Sequence, residues 1–213
     1  MLKVIADALT KRSMDLLLAG AGVALSWPLM LLIAAAISLE DGESPFYIQE
    51  RVGKDGTIFH LLKFRTMSLR SAAEAGPEIT VGADARITRI GKFLRDIRLD
   101  ELPQLFNILA GDMSVVGPRP EVARYVEHYS EEELAVLTVR PGLTDPATLA
   151  YRNEADRLVQ SDEPEELYIN EIMPEKLAMN LEYLAQRNTA KDMKIFLKTL
   201  TTLVADRFDS EKS

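Results

Sequence analysis

The sequence contains no cysteine among its 213 residues. Disulfide bonds, cysteine-ligated zinc and thiol nucleophiles are therefore excluded. Only two histidines are present, His60 and His128, so a three-histidine metal site is excluded as well. An acid, a base or a nucleophile in this chain must come mainly from carboxylates, lysine, tyrosine or hydroxyl groups.

Several common signatures are also missing. The sequence has no P-loop, no glycine-rich dinucleotide fingerprint, no internal repeat and no low-complexity segment. The net charge is −8, yet residues 51–120 carry eleven lysines and arginines against eight acidic residues. A basic middle in an acidic chain indicates local handling of an anion. No basic patch with interleaved aromatics is present, so nucleic acid is not an expected partner.

A long uncharged run does occur, covering the 24 residues from Leu16 to Leu39. A helix of this length can cross the bilayer core of about 30 Å. Three interpretations compete: a signal peptide cleaved near Ala34–Ala36, a straight membrane span and a re-entrant hairpin. Pro28 favours a break because it removes a backbone donor, and Ser26 can satisfy a freed carbonyl. The residues alone leave the three open.

The next elements are marked by turn residues. Residues 46–65 predict a hairpin, since two apolar runs flank the turn Gly53–Gly56. Residues 68–83 are small and polar and predict a loop. Asp84 is then expected to cap a helix. The apolar face of that helix is predicted to comprise Ile87, Ile90, Phe93, Leu94 and Ile97.

An acidic pair, Asp100 and Glu101, falls where this helical pattern breaks. Pro103 suits the first turn of a new helix, predicted to run from about 103 to 110 and to end at Gly111. The pair therefore lies beside a helix N-terminus, where the backbone dipole favours anions. This arrangement indicates a phosphate site. Residues 117–120 form a rigid Gly-Pro-Arg-Pro turn that presents one arginine.

Three separated blocks carry a resemblance to a known family. They are Ser44–Met67 (SPFYIQERVGKDGTIFHLLKFRTM), Ile97–Pro120 (IRLDELPQLFNILAGDMSVVGPRP) and Arg140–Thr144 (RPGLT). Together they resemble the bacterial sugar transferase family, the monotopic phosphoglycosyl transferases. The resemblance implies a helix-rich α+β fold with two parts. Residues 1–40 would form a re-entrant membrane helix–break–helix around Ser26 and Pro28. Residues 41–213 would form a compact cytoplasmic catalytic domain with a small β-hairpin and interfacial amphipathic helices.

The resemblance also implies roles for individual residues. Asp100 is similar to the family's nucleophile, which attacks the β-phosphate of a UDP-sugar, releases UMP and retains the phosphosugar. Glu101 is similar to the partner carboxylate, and both acids are implied to hold the required Mg²⁺. The implied phosphate- and nucleotide-binding cations are Lys63, Arg95, Arg119 and Arg152. From the residues alone, Arg95 can equally pair with Asp96 or Asp100, and Lys63 can be a surface residue.

The implied acceptor is polyprenol (undecaprenyl) phosphate in the bacterial inner membrane, at its cytoplasmic face. This location favours the re-entrant interpretation, because both ends of the apolar segment must then share one side. The implied process is the first step of polysaccharide or glycoconjugate synthesis. The apolar face of the C-terminal helix permits a homodimer.

A rival enzyme is a membrane-anchored Mg²⁺-dependent hydrolase of nucleotide sugars or lipid diphosphates. A non-enzymatic rival is a membrane-bound scaffold. The sequence departs from many members at Asp145–Thr148, so it does not predict the sugar.

Overall fold

The computed structural model describes residues 2–68, 84, 86–152 and 154–210. The helices are α1 Leu2–Asp41, α2 Arg89–Asp96, α3 Gln104–Ala110, α4 Ala123–Val126, α5 Pro146–Ala150, α6 Glu154–Val159, α7 Pro164–Leu167, α8 Met173–Gln186 and α9 Thr189–Ser210. The strands are β1 Phe46–Val52, β2 Ile58–Phe64, β3 Ser114–Val116 and β4 Gly142–Thr144. Short 3₁₀ turns occur at Lys54–Gly56, Leu99–Glu101 and Glu133–Thr138, and a π turn at Tyr168–Ile172. The predicted helix-rich α+β class is confirmed. The loop predicted for 68–83 lies outside the described residues, apart from Ser68.

The uncharged run forms the middle and C-terminal half of α1, which is one helix through Pro28. Proline leaves the carbonyl of Ala24, four residues earlier, without its usual amide donor. The Ser26 hydroxyl instead donates to the Gly22 carbonyl at 2.7 Å. The expectation that Ser26 satisfies the carbonyl freed by Pro28 is therefore wrong. Bonding of this kind, one turn back along the helix, often bends a helix.

One face of α1 is packed against the rest of the chain. Its buried apolar residues are Met14, Ala19, Met30, Ile33 and Ile37. The opposite face exposes large apolar side chains, namely Leu9, Leu16, Leu17, Leu25, Trp27, Leu29, Leu31, Leu32 and Leu39. In the described part of the chain, Leu9–Asp41 is the one helix long and apolar enough to cross a membrane. An uncovered apolar surface of this extent indicates contact with a membrane or a partner.

The predicted hairpin is confirmed, with longer strands than expected. β1 and β2 pair antiparallel from Phe46 opposite Phe64 to Val52 opposite Ile58. The turn between them closes through left-handed backbone at Asp55 (φ 56°) and Gly56 (φ 75°). Because side chains alternate along a strand, Lys63 shares a face with its cross-strand partner Tyr47. This face is directed toward the acidic pair.

The helix predicted to follow Asp84 begins later. Its cap is Thr88, whose side chain accepts from the Gly91 amide at 2.9 Å. Asp84 pairs with Arg86 instead. The reason is that Ile87 pairs with Met67 in an isolated antiparallel bridge, so Ile87 is not helical and the helix begins after it. The predicted apolar face is also wrong at Phe93, which is 58% exposed.

The two short strands β3 and β4 pair in parallel and continue into a tight backbone crossing. The Gly117 amide donates to the Thr144 carbonyl at 3.0 Å, and the Gly142 amide donates to the Pro118 carbonyl at 2.9 Å. A Cβ atom on Gly142 would lie 2.2 Å from the Gly117 backbone. Only glycine fits at this crossing, which fixes the position of the Gly-Pro-Arg-Pro turn.

Gly142→Ala is therefore expected to destabilise the fold by about 3 kcal/mol or more, because backbone atoms on both sides cannot move aside. The midpoint of thermal inactivation in detergent should fall by roughly 5–10 °C. Gly20→Ala is a matched control, since a Cβ added to that helical glycine meets nothing within 4 Å beyond its chain neighbours and the backbone of its own helix. An unchanged midpoint for Gly142→Ala would contradict the tight crossing.

Candidate active site

The acidic pair lies at the junction between two helices, as predicted. Asp100 and Glu101 form the end of the 3₁₀ turn Leu99–Glu101, and Pro103 caps α3. The turn begins after Arg98, whose backbone is left-handed (φ 58°). A left-handed conformation is costly for a residue with a side chain, and such positions are concentrated at functional sites. The two carboxylates that follow have different surroundings.

Glu101 is the paired member of the two. The Lys63 ammonium lies 3.3 Å from its Oε1 atom. The Arg119 guanidinium reaches both oxygens, through Nη2 to Oε1 and through Nη1 to Oε2 at 3.4 Å. Burial alone would raise the pKa of Glu101, but Arg119 and Lys63 outweigh it and hold the pKa well below the usual range. Glu101 is therefore an ionised carboxylate held between two cations.

Asp100 is the less compensated member. Asp100 is 8% exposed, and its carboxylate makes no hydrogen bond or ion pair among the described residues. Burial and the neighbouring charge of Glu101 raise the pKa of Asp100, against the opposing effects of Lys63, Arg95 and Arg119. Two adjacent carboxylates with pKa values displaced in opposite directions are typical of a divided chemical role.

Lys63 and Arg119 reach Glu101 from separate elements. Lys63 lies near the end of β2, and burial lowers its pKa while Glu101 opposes that effect. Arg119 lies at the crest of the turn fixed by the Gly117–Gly142 crossing. The following residue is held by Arg51 of β1, whose Nη1 donates to the Pro120 carbonyl at 3.1 Å. Lys63 and Arg119, two of the cations that the resemblance implies, thus both lie beside the acidic pair.

Arg95 approaches the pair from the last turn of α2. Its Nε donates to the Thr66 hydroxyl at 2.8 Å. Its charge opposes the rise in the pKa of Asp100 that burial and Glu101 cause. In the described chain Arg95 forms no ion pair with Asp96 or Asp100, so the simple pairing left open by the sequence is not observed. Thr66 is a residue that sequence reasoning missed, although it stands in the same block as Lys63.

Arg152 is the remaining predicted cation. Arg152 is exposed just beyond α5, and it is not one of the cations found on Glu101 in the part of the chain that the structure describes. The divergent loop nearby has a structural role at its first residue. Asp145 is fully buried and caps α5 by accepting from the Thr148 amide at 2.7 Å. Its side chain is therefore committed to the helix cap.

The arrangement around Asp100 suits phosphoryl transfer. Asp100 is a buried carboxylate that makes no ion pair among the described residues, and an ionised carboxylate and three cations flank it. The cations can neutralise a diphosphate, which otherwise repels an attacking carboxylate. The model of one protein family, described as bacterial sugar transferase, matches residues 6–206. The chain belongs to the bacterial sugar transferase family. The resemblance carried by the three sequence blocks is confirmed, as is the prediction of a phosphoglycosyl transferase.

Relatives with known names share most of this family region. A UDP-glucose:undecaprenyl-phosphate glucose-1-phosphate transferase of Caulobacter vibrioides is 37% identical over 205 residues, covering 94% of this chain and 72% of the relative. The exopolysaccharide production protein ExoY of Rhizobium meliloti is 33% identical over 213 residues, covering 93% and 87%. A UDP-N-acetylgalactosamine-undecaprenyl-phosphate N-acetylgalactosaminephosphotransferase of Aeromonas hydrophila is 40% identical over 152 residues, covering 70% of this chain but 36% of the relative.

Proposed function

We propose that this bacterial sugar transferase moves a sugar 1-phosphate from a UDP-sugar to undecaprenyl phosphate through a covalent intermediate on Asp100. The observation that carries the proposal is the unequal acidic pair, with Glu101 locked to two cations and Asp100 buried without a partner. The names of the relatives support the donor and acceptor classes. They differ in the sugar, so the proposal names none.

In the first half-reaction, a carboxylate oxygen of Asp100 attacks the β-phosphorus of the donor. The bond from that phosphorus to the bridging oxygen breaks, and UMP leaves with the electron pair. In the second half-reaction, a phosphate oxygen of the lipid attacks the same phosphorus, and Asp100 is released as a carboxylate. Arg119 and Lys63 neutralise the donor's phosphates, while Arg95 stabilises Asp100 in its ionised form.

We include Mg²⁺ in this proposal, held by Asp100 with Glu101 beside it. Among the described residues, no group of three or more histidine or acidic side chains could hold a metal alone. Magnesium does not require one, since it commonly takes one or two carboxylates and completes its shell with phosphate oxygens and water. Asp100 fits, because it is a mostly buried carboxylate that makes no hydrogen bond or ion pair among the described residues. The ion would neutralise the donor diphosphate.

Metal removal should therefore abolish activity. We expect UMP release by the full chain to fall at least about 10²-fold in excess EDTA, the scale of losing one main electrostatic stabiliser. Added Mg²⁺ should restore it, whereas K⁺ at the same ionic strength should not. Full activity after exhaustive chelation would remove magnesium from the account.

The rival function is hydrolysis, because water could also resolve an aspartyl intermediate. The discriminating experiment measures UMP from several UDP-sugars with and without undecaprenyl phosphate. A transferase releases at most one UMP per chain until the lipid is added, and then turns over to give a lipid diphosphate sugar. Continued UMP and sugar phosphate release without lipid would establish the hydrolase instead.

We also propose that α1 is re-entrant or lies in the membrane surface, with the catalytic residues at the cytoplasmic face. Polar contacts join α1 to the rest of the chain on both sides of its uncharged run. Arg12 donates to the Ile108 carbonyl at 2.7 Å, and Asp41 accepts from Arg65 at 2.6 Å. Along a straight helix Arg12 and Asp41 are about 40 Å apart, more than the bilayer core. A helix that spanned the bilayer perpendicular to its plane would place these two contact points on opposite sides of the membrane.

The absence of cysteine makes this topology easy to test. Asp7→Cys and Lys54→Cys each place one thiol at an exposed position on either side of the apolar run. We expect neither to react with a membrane-impermeant maleimide in spheroplasts, and both to react after lysis. Labelling of the Asp7→Cys chain alone in intact spheroplasts would establish a span.

A further inference from the structure

A second buried ionic cluster lies apart from the acidic pair. Lys11 of α1 lies 3.2 Å from Asp15 on the same helix and 2.9 Å from Asp192 of α9. The Tyr183 hydroxyl of α8 donates to Asp192 at 2.6 Å. Asp15 and Asp192 are 2% and 3% exposed. A charge this deeply buried is costly unless its bonds are well satisfied, so the partners of Asp15 are informative.

The other bonds of Asp15 go to β3. The Ser114 hydroxyl lies 2.9 and 3.0 Å from its two carboxylate oxygens, and the Val115 amide donates to it at 3.0 Å. Asp15 is the last acidic residue before the uncharged run of α1. It therefore hydrogen-bonds to the three-residue strand β3. On its other edge β3 pairs with β4. Asp15 therefore binds one backbone amide and one side chain of β3.

β3 leads directly into the turn that carries Arg119. Gly117 and Pro118 are bonded to β4 and its start, so the strand and the turn form one hydrogen-bonded unit. Arg119 lies three residues beyond the end of β3, so a shift of β3 relative to α1 would also move Arg119. Arg119 in turn holds Glu101 with both terminal nitrogens, a geometry sensitive to small displacements.

We propose that Asp15 is a positioning residue for Arg119, through which the membrane helix sets the geometry of the phosphate site. The inference rests on the proposed function, in which Arg119 binds the donor's phosphates. Asp15 contacts neither Arg119 nor Glu101 in the described structure; it acts through Ser114 and Val115. Misplacing a binding group by about 1 Å can lower a rate on the order of 10²-fold.

The test is a double-mutant cycle in the full-length protein. The rate constant of single-turnover UMP release is measured for Asp15→Asn, Arg119→Lys and the double variant. This rate constant does not depend on the fraction of folded molecules, so a loss of stability alone leaves it unaltered. We expect Asp15→Asn to slow release at least about tenfold when Arg119 is present, and less than about threefold in the Arg119→Lys background.

Two further variants complete the design. Asp7→Asn, an equal charge change at an exposed position of α1, should leave the rate constant within about twofold of the wild-type value. Ser114→Ala should reproduce the Asp15 effect, and serves in its place if Asp15→Asn does not fold. Equal losses in both Arg119 backgrounds, or no loss, would overturn the positioning role. No UMP release from the unmodified chain would instead defeat the proposed function.

Discussion

Asp100→Asn should eliminate both turnover and the covalent adduct, with a fall in UMP release on the order of 10⁴-fold or more, as for other covalent nucleophiles. An amide nitrogen or oxygen cannot replace the carboxylate in attack on phosphorus. The fold should not suffer. Burial and Glu101 raise the pKa of Asp100, so the folded state disfavours its charged form at neutral pH. A neutral side chain of the same shape removes that penalty.

The matched control is Asp96→Asn, the same substitution at an exposed aspartate four residues earlier. It should retain activity within about twofold of the wild type, since surface substitutions away from a site are usually nearly neutral. For Asp100→Asn we expect a midpoint of thermal inactivation equal to or above that of the wild type. Adduct formation by Asp100→Asn would overturn the assignment of the nucleophile.

Arg119→Lys is expected to lower kcat/KM by about 10²-fold or more although it keeps the positive charge. The guanidinium of Arg119 reaches both oxygens of Glu101 from a turn with proline on each side. A lysine ammonium has no planar fork and cannot make two such contacts at once. The loss should appear in single-turnover UMP release, because in the proposed mechanism Arg119 assists the attack on the donor.

Arg124→Lys provides the control for that substitution. Arg124 lies five residues further along the chain, is half-exposed and pairs with Glu165. Exposed ion pairs contribute little, so its replacement should change kcat/KM by less than about twofold. Equal effects of the two substitutions would show that Arg119 contributes charge alone or no function at all.

Local sequence signals predicted the parts of this molecule that local physics decides. The hairpin follows from the Gly53–Gly56 turn between two apolar runs, and the acidic junction follows from Pro103 after a broken helical pattern. The sequence predicts the cap of α2 at Asp84 instead of Thr88, because both residue types suit a helix cap. The choice between them was made by a pairing of Ile87 with Met67, which no local pattern contains.

The residues that hold the site were harder to predict, because their partners are distant in the chain. Arg51 donates to the Pro120 carbonyl, and Asp15 accepts a hydrogen bond from Ser114, 99 residues away along the chain. Nothing in the spacing of these residues indicates such contacts. For Asp15 the signal is only indirect, since a carboxylate beside a long apolar run must find a partner once it is buried.

The most direct test of the covalent mechanism is a donor-only incubation of the wild-type chain, analysed by intact mass and then by peptide mapping. We expect one phosphosugar per chain, located on Asp100, one equivalent of UMP, and loss of the adduct when undecaprenyl phosphate is added. An unmodified protein, with UMP formed only when donor and lipid are present together, would contradict it.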